Sequence, residues 1–538
     1  MAENNTLTIT NLGGPLTRRN TGDIKSGLAK YDTSWGYDPY TKPGSLTWLE
    51  QPVSVLSTSN MIHAMKQRIE SDVNYVYALG SSNDQLYKFT VNSSTNPDVN
   101  TSSILGTLGT DAYDGGGGIA FYGSTEKIFY GGDRNIAKIN FDGSSSSIIA
   151  SSTVDQPRPL ATFLGKIYFG YGNNIGEIDS GETVITVAKL SPALPSGLFI
   201  KDLTVSADGN YLQIIASRTN SLNAIGTGTA IENTTMGSAV DAFKFYWNGV
   251  DAGATAVDSF SGMVLSANVA RSGSDYTFGY DSRGTAIFSG VDKLVSLPNT
   301  FNPEPNATFM VGNMLSFAAP EYERSTGRFR ASFYQYGQYD EETPKGLFRL
   351  LRHNSPLADF VGISTCINVS NRLYVPEQLA FTNNLAQTGK IYFSSNEGGA
   401  AGGSGAQRVW RFYPVPRVTG TSGTALVGSV LAGVYETQTQ MFSKKAKISE
   451  VRVYTEPLIG GNDFIVDLIG SGGSVMAGGS QRFQVATGSI ATGTDMVHFN
   501  PGMINTYALG VRITNSSVTG VANWTANKVE VDYTEGGR

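Results

Sequence analysis

The stretch Glu126–Gly143, EKIFYGGDRNIAKINFDG, limits what this chain can fold into more than any other. Ile128, Phe129 and Tyr130 form a short apolar run, Gly131-Gly132-Asp133 carries turn chemistry, and Ile136, Ala137 and Ile139 then follow with polar residues between. Two short runs joined by a Gly/Asp turn predict a β-hairpin. A single hairpin cannot bury both of its faces, so it needs neighbours.

The unit recurs. NYVYALGSSNDQLYKFTV begins at Asn74, KIYFGYGNNIGEID at Lys166, NYLQIIAS at Asn210, DYTFGYDSRGTAIFSG at Asp275, RFRASFYQYG at Arg328 and KIYFSSNEGG at Lys390. That makes roughly seven copies at spacings of about 40 to 65 residues, within and somewhat beyond the period of propeller blades. Further apolar runs precede several copies, at Gly118–Tyr122, Leu160–Leu164, Leu203–Ser206 and Leu379–Thr382. Each repeat therefore reads as three or four short antiparallel strands. The expected fold is all-β, a roughly seven-bladed β-propeller, because a closed ring leaves only short protected sheet edges. A β-solenoid or several sandwiches is the competing arrangement.

Four segments follow from this pattern. Residues 1–57 lack the repeat and form an extended arm rich in aromatics. Tyr31, Trp35, Tyr37, Tyr40 and Trp48 fall close together, broken by Gly, Pro and Asp. So many large rings call for burial. The arm either wraps its own propeller or docks on a neighbouring subunit, and these five residues are the candidate assembly contacts. Residues 58–416 are the expected propeller. Residues 417–423 read as a linker. Residues 424–538 carry a fresh set of alternating runs, KISEVRVYT, NDFIVDLIG, TYALGVRIT and NKVEVDYT among them. They predict an antiparallel β-sandwich, jelly-roll-like, whose last strand ties down the C-terminus.

Charge and composition narrow the function classes. The net charge is −6, which is unlike a nucleic-acid binder. Cys366 is the only cysteine, so no disulfide forms within the chain and no zinc framework exists. The opening MAENNTLTITNLGG carries no basic and apolar export pattern. No apolar run approaches a membrane span. His63, His353 and His498 lie far apart without ligand spacing and read as structural or surface residues. P-loop, G-x-S-x-G and dinucleotide signatures are missing. Asp111, Asp114, Glu321 and Glu323 are candidates for the paired carboxylates of glycoside hydrolysis, against a reading as turn or strand residues. DAYDGGGG at Asp111–Gly118 lacks the full calcium-loop pattern and reads as a turn. No catalytic residue, metal or cofactor is assigned. Tyr334, Tyr336 and Tyr339 close to Arg349 and Arg352 suit a sugar or an anionic glycan, through ring stacking and forked guanidinium hydrogen bonds. Alternatively the tyrosines alternate along a strand and the arginines pair with Asp340, Glu341 and Glu342.

Two resemblances enter here. Ser206, Asp208, Gly209, Tyr211 and Leu212 resemble the S-x-D-G-x-Y-L hairpin of TolB-like propellers, with Ala207 where that hairpin carries Pro. The likeness covers one repeat and implies fold alone. GDIKSGLAKYDTSWGYDPYTKPGSLTWLE, Gly22–Glu50, resembles the openings of bacteriophage tail-associated proteins. That likeness, with the Gly/Ser/Thr/Asn-rich all-β style, implies a structural virion component, assembled in the host cytoplasm as part of a tail, tail tip or fibre. It implies other virion proteins as partners, a homo-oligomer, contact with a host surface glycan, and no insertion into a membrane. A glycan-active propeller enzyme with a carbohydrate-binding sandwich and a bacterial surface-binding module are the other classes.

Overall fold

The recurring hairpin unit begins on the second strand of a four-stranded antiparallel sheet in every copy but the one at Arg328, which is the third strand of its sheet, and several copies run on from the second strand into the third. In the Glu126–Gly143 copy, Lys127–Gly131 pairs with Asn135–Asn140, with Ile128 opposite Ile139 and Tyr130 opposite Ala137. Those residues are fully buried because sheets pack on both faces. The computed structural model describes residues 4–15 and 34–536, apart from 40–41, 43, 59–61, 71–72, 81–84, 91–102, 107–117, 123–126, 133, 154–157, 207, 218–241, 261–265, 270–274, 282–283, 290–291, 299–306, 312–313, 324–327, 339–344, 353–362, 370–389, 397–406, 413–417, 420–424, 427–430, 438, 471–473, 486–489, 503 and 517–522. No helix occurs among the described residues.

Seven four-stranded sheets succeed one another between Val53 and Phe412. Their first strands are Ile62–Glu70, Gly118–Phe121, Leu160–Phe163, Phe199–Val205, Ser266–Val269, Thr308–Val311 and Ile363–Val369. Each of these touches the first strand of the next sheet, and the last touches Ile62–Glu70. This is a β-propeller arrangement, with successive sheets packed face to face. The first strand of the seventh sheet is Ile363–Val369; the run Leu379–Thr382 expected there lies outside the described residues.

The outermost strand of that seventh sheet comes from far away. The N-terminal region contributes four strands, β1 (Asn4–Ile9), β2 (Tyr37–Asp38), β3 (Leu46–Trp48) and β4 (Val53–Thr58). Strand β4 pairs antiparallel with Gln407–Phe412, so the propeller's two ends meet inside one sheet. The arm boundary drawn at residue 57 thus falls within a propeller strand.

Local chemistry is as expected at the Ser206 hairpin. The Ser206 hydroxyl donates to Asp208 Oδ1 at 2.5 Å and accepts from the Tyr211 amide at 3.0 Å. The Asn210 amide donates to the same carboxylate at 3.0 Å. Gly209 takes φ +73°, which a side chain rarely tolerates.

Beyond the propeller, Val418–Thr419 pairs with Ala425–Leu426, so the expected linker is bridged by a short ribbon. The remaining strands form a ten-stranded sheet that folds into a sandwich-like unit. Its hub is Gln440–Thr455, which pairs with Thr525–Glu535 along one edge and with Ile504–Asn515 and Met496–Phe499 along the other. Ala446 and Ile448 point inward, and after an irregularity between Ile448 and Glu450 the alternation resumes with Val451 and Val453. Strands β1 and β3 both pair with Thr525–Glu535, and β2 pairs with β3. Three strands of the arm are therefore sandwich strands.

Candidate functional site: the arm junction

The arm runs between the sixth propeller sheet and the sandwich, and it bonds to both. The Trp35 amide donates to the Val434 carbonyl at 2.7 Å, and the Val434 amide returns the bond at 2.8 Å. The next amide, Gly36, donates to Leu350 on the outer strand of the sixth sheet at 3.0 Å. One residue thus faces each domain. Gly36 sits at φ +80°, and a Cβ there would lie 2.8 Å from the Gly433 Cα. Gly433 is equally constrained, since its Cβ would meet the Trp48 ring at 2.8 Å. Two glycines let three chain segments approach more closely than side chains permit.

Trp48 fills the centre of the junction. It is fully buried, its ring centroid 5.6 Å from that of Trp524. Trp524 in turn stacks on Phe464 at 4.2 Å. Asn523 holds the Trp48 backbone, donating from Nδ2 to its carbonyl at 3.0 Å and accepting from its amide at 3.3 Å. The apolar cluster around Trp48 joins Tyr37 and Leu46 of the arm, Phe333 and Phe348 of the sixth sheet and Val451 and Phe464 of the sandwich. Domains that share a core of this kind dock tightly, because separating them would expose large rings to water.

Beside this core lies a buried ionic chain. Arg349 Nη1 forks onto Glu321, at 3.0 Å from Oε1 and 2.9 Å from Oε2. Ser332 and Tyr334 donate hydroxyls to Glu321 Oε2 at 2.9 and 3.2 Å, and Arg352 approaches Oε1 at 3.7 Å. Arg349 Nε then reaches across to the Ser34 carbonyl at 3.2 Å. The Ser34 hydroxyl accepts from the Glu436 amide at 2.9 Å, and Glu436 accepts from Arg512 at 3.0 and 3.1 Å. Polar links therefore run unbroken from the propeller through the arm into the sandwich. Burial alone would push the Glu321 carboxyl up, but the guanidiniums of Arg349 and Arg352 and the Ser332 hydroxyl outweigh it and hold it below the usual carboxylate value.

This sets a pH dependence. A carboxyl depressed in the folded state adds stability above its unfolded value, about 4.3 for Glu, and that stability is lost as pH falls through the folded value. The denaturation midpoint should fall on acidification below about pH 4, where the unfolded chain takes up the proton first. In Glu321→Gln that part of the profile should be flat. A parallel profile for both proteins would show that Glu321 is not the group responsible.

The expected site residues divide accordingly. Trp35, Tyr37 and Trp48 pack within their own chain, against the sandwich and the sixth sheet. Tyr31 and Tyr40 lie outside the described residues. The glycan patch is corrected. Tyr334 and Tyr336 are buried between the fifth and sixth sheets, and Arg349 is 1 % exposed and committed to Glu321. Arg352 turns to the same carboxylate, and Tyr339 lies outside the described residues. A sugar cannot stack on rings that already pack in a core. The acidic partner of both arginines is Glu321, well before the Asp340–Glu342 run expected for them, which lies outside the described residues. Among the carboxylate candidates, Glu321 is taken up by the ion pair, Asp111 and Asp114 lie outside the described residues, and Glu323 closes its strand. His498 is exposed, its Nδ1 3.1 Å from Glu450, and His353 lies outside the described residues. No cluster of three metal-ligating side chains occurs among the described residues. Ser34, Gly36, Gly433, Tyr435 and Asn523 were missed; Glu321 in MLSFAAPEYE and Arg349 in GLFRLLR, charged residues within otherwise apolar strand stretches, were the available signal.

No protein-family model and no curated protein matches the chain. Among solved structures it is similar to that of U3-55K, with 8 % identity over 66 % of this chain and 98 % of that one, at a TM-score of 0.37. It is similar to the mitotic checkpoint complex, with 10 % identity over 68 % and 94 % of the two chains, at 0.37. A prolyl endopeptidase structure gives 9 % identity over 70 % and 54 %, at 0.35.

Proposed function

We propose that the chain is a non-enzymatic structural component of a bacteriophage virion, part of a tail, tail tip or fibre, acting by protein–protein assembly and by contact with the host surface. The observation that carries this reading is the arm junction. The stretch that resembles tail-protein openings, Gly22–Glu50, ends in the residues that weld propeller to sandwich through Trp48 and the Ser34 links. A protein that must pass mechanical load between domains needs a joint of this kind more than a hinge. In this reading the seven sheets are the blades of one closed ring, supported by the first-strand contacts and the β4 closure. The sandwich is jelly-roll-like, with its outer face toward the host or a neighbouring protein. The protein works in several copies, alongside other virion proteins, without nucleic acid or membrane insertion.

Quantitative mass spectrometry of purified phage particles from the encoding genome tests the reading. The chain should be present at a fixed small whole-number ratio per particle, and removing its gene should yield particles with incomplete tails. Particles that assemble and infect normally without it would overturn the proposal.

A further inference from the structure

The N-terminal residues 4–15 seat as a plug against the arm, the sixth sheet and the sandwich. Strand β1 adds to the edge of Thr525–Glu535 over six register pairs, Asn4 opposite Thr534 through Ile9 opposite Val529. Its side chains are mostly exposed, with Leu7 and Ile9 half-buried on the core, so the strand is held chiefly by its backbone ladder. Beyond β1 the chain turns sharply and buries Leu12. Gly13 lies so close to the Ser45 carbonyl that a Cβ would sit 2.6 Å from it, and Pro15 lies against Gly346. Two tyrosines meet the Gly13-Gly14 bend. The Tyr37 hydroxyl donates to the Gly14 carbonyl at 3.1 Å, and the Tyr435 hydroxyl lies near the Gly13 and Gly14 amides. Both rings are buried and pack edge to face at 5.3 Å.

The socket is built from elements distant in sequence: Tyr37 and Ser45 in the arm, Gly346 in the sixth sheet, Tyr435 and Thr525–Glu535 in the sandwich. None of them needs the plug to be continuous with its own chain. Eighteen residues, 16–33, separate Pro15 from the next described residue. That length spans at most about 60 Å when extended, enough to reach a neighbouring molecule. A backbone ladder and a Gly-Gly bend read equally well whichever copy supplies them, and exchange of an identical element is a low-cost route between copies.

We propose that the socket is a self-recognition site, and that the plug Asn4–Pro15 of one copy seats in the socket of a second copy. This rests on the self-association in the proposed function and gives it a contact surface, donor-strand addition. Exchange around a closed set of copies yields a ring, and exchange between two yields a dimer.

The test uses two full-length variants, Asn4→Cys and Thr534→Cys, each with Cys366→Ser. These positions are register partners, and the Thr534 hydroxyl already contacts Asn4 Oδ1 at 3.1 Å. Mixed and oxidised, the two singles should give a disulfide-linked heterodimer as the main product. An excess of a synthetic peptide of residues 1–15 should suppress it. The Asn4→Cys/Thr534→Cys double variant should yield linked oligomers as well as closed monomers. Only monomers in the mixture, while the double variant closes within one chain, would overturn exchange and leave the virion reading standing. Failure of the double variant to cross-link at all would overturn the pairing itself. Presence or absence of the chain in particles decides the virion reading separately.

Discussion

Replacing Glu321 with Ala should cost about 3–5 kcal/mol of stability, among the largest losses available to a single substitution here. The cost comes from what is left behind. Arg349 is 1 % exposed and has its guanidinium forked onto that carboxylate, so the variant would bury a cation without its counter-charge. Arg352 and the hydroxyls of Ser332 and Tyr334 lose the same acceptor. The damage should spread along the polar chain, because Arg349 also holds the Ser34 carbonyl. Hydrogen exchange should then show faster amides at Trp35 and Gly36, which bond across the two domains. A chain with several domains need not unfold in one step, so the midpoint of the transition that includes the sixth sheet is the quantity to compare. Removing both charges separates a lost contact from a stranded charge. Glu321→Leu with Arg349→Met should recover most of the loss, as an apolar pair of similar volume often does. A Glu321→Ala loss under about 1 kcal/mol would mean that water reaches Arg349 and that the junction is not dry.

Trp48→Ala should be about as damaging, at roughly 3–5 kcal/mol, by a different route. Its indole is fully buried, contacts Trp524 and closes over Gly433. Truncation leaves a cavity where arm, propeller and sandwich meet, and none of the three can collapse into it without breaking backbone bonds to the others. The arm should become the weak point. Limited proteolysis should cut between Trp35 and Val53 in the variant well before it cuts the intact protein. Trp35→Ala should cost clearly less, since Trp35 is only half-buried and its junction bonds come from its backbone. Equal effects at the two positions would show that burial depth does not rank these tryptophans.

Comparison of sequence and structure separates local from long-range information. The Lys127–Asn140 hairpin was legible because short-range physics sets it: alternating or fully apolar runs, joined by Gly and Asp, satisfy one another's backbone groups across a tight turn. The Ser206 hairpin was legible for the same reason, its polar groups bonding only a few residues away. The alternation of Ile448–Thr455 likewise announced a strand with one wet and one dry face. Much of the junction was not legible. Tyr334 and Arg349 have the residue types of a sugar site and the burial of a core, and residue type does not reveal burial when the covering partners lie on other strands, in the neighbouring sheet for Tyr334 and 315 residues away at Ser34 for Arg349. The Ser34 link and the β4 closure pair segments with separations of that order and more.

By itself, then, the sequence determined that this chain is all-β, built on a recurring hairpin, with an aromatic arm that must be buried and a separate C-terminal sheet. Strand periodicity and turn chemistry act within a few residues, so they can be read from a string. Only the tertiary structure decided where the arm goes. Its rings fill the seam between propeller and sandwich and its strands finish both sheets, because burial and backbone pairing there depend on surfaces that exist only once distant segments have come together.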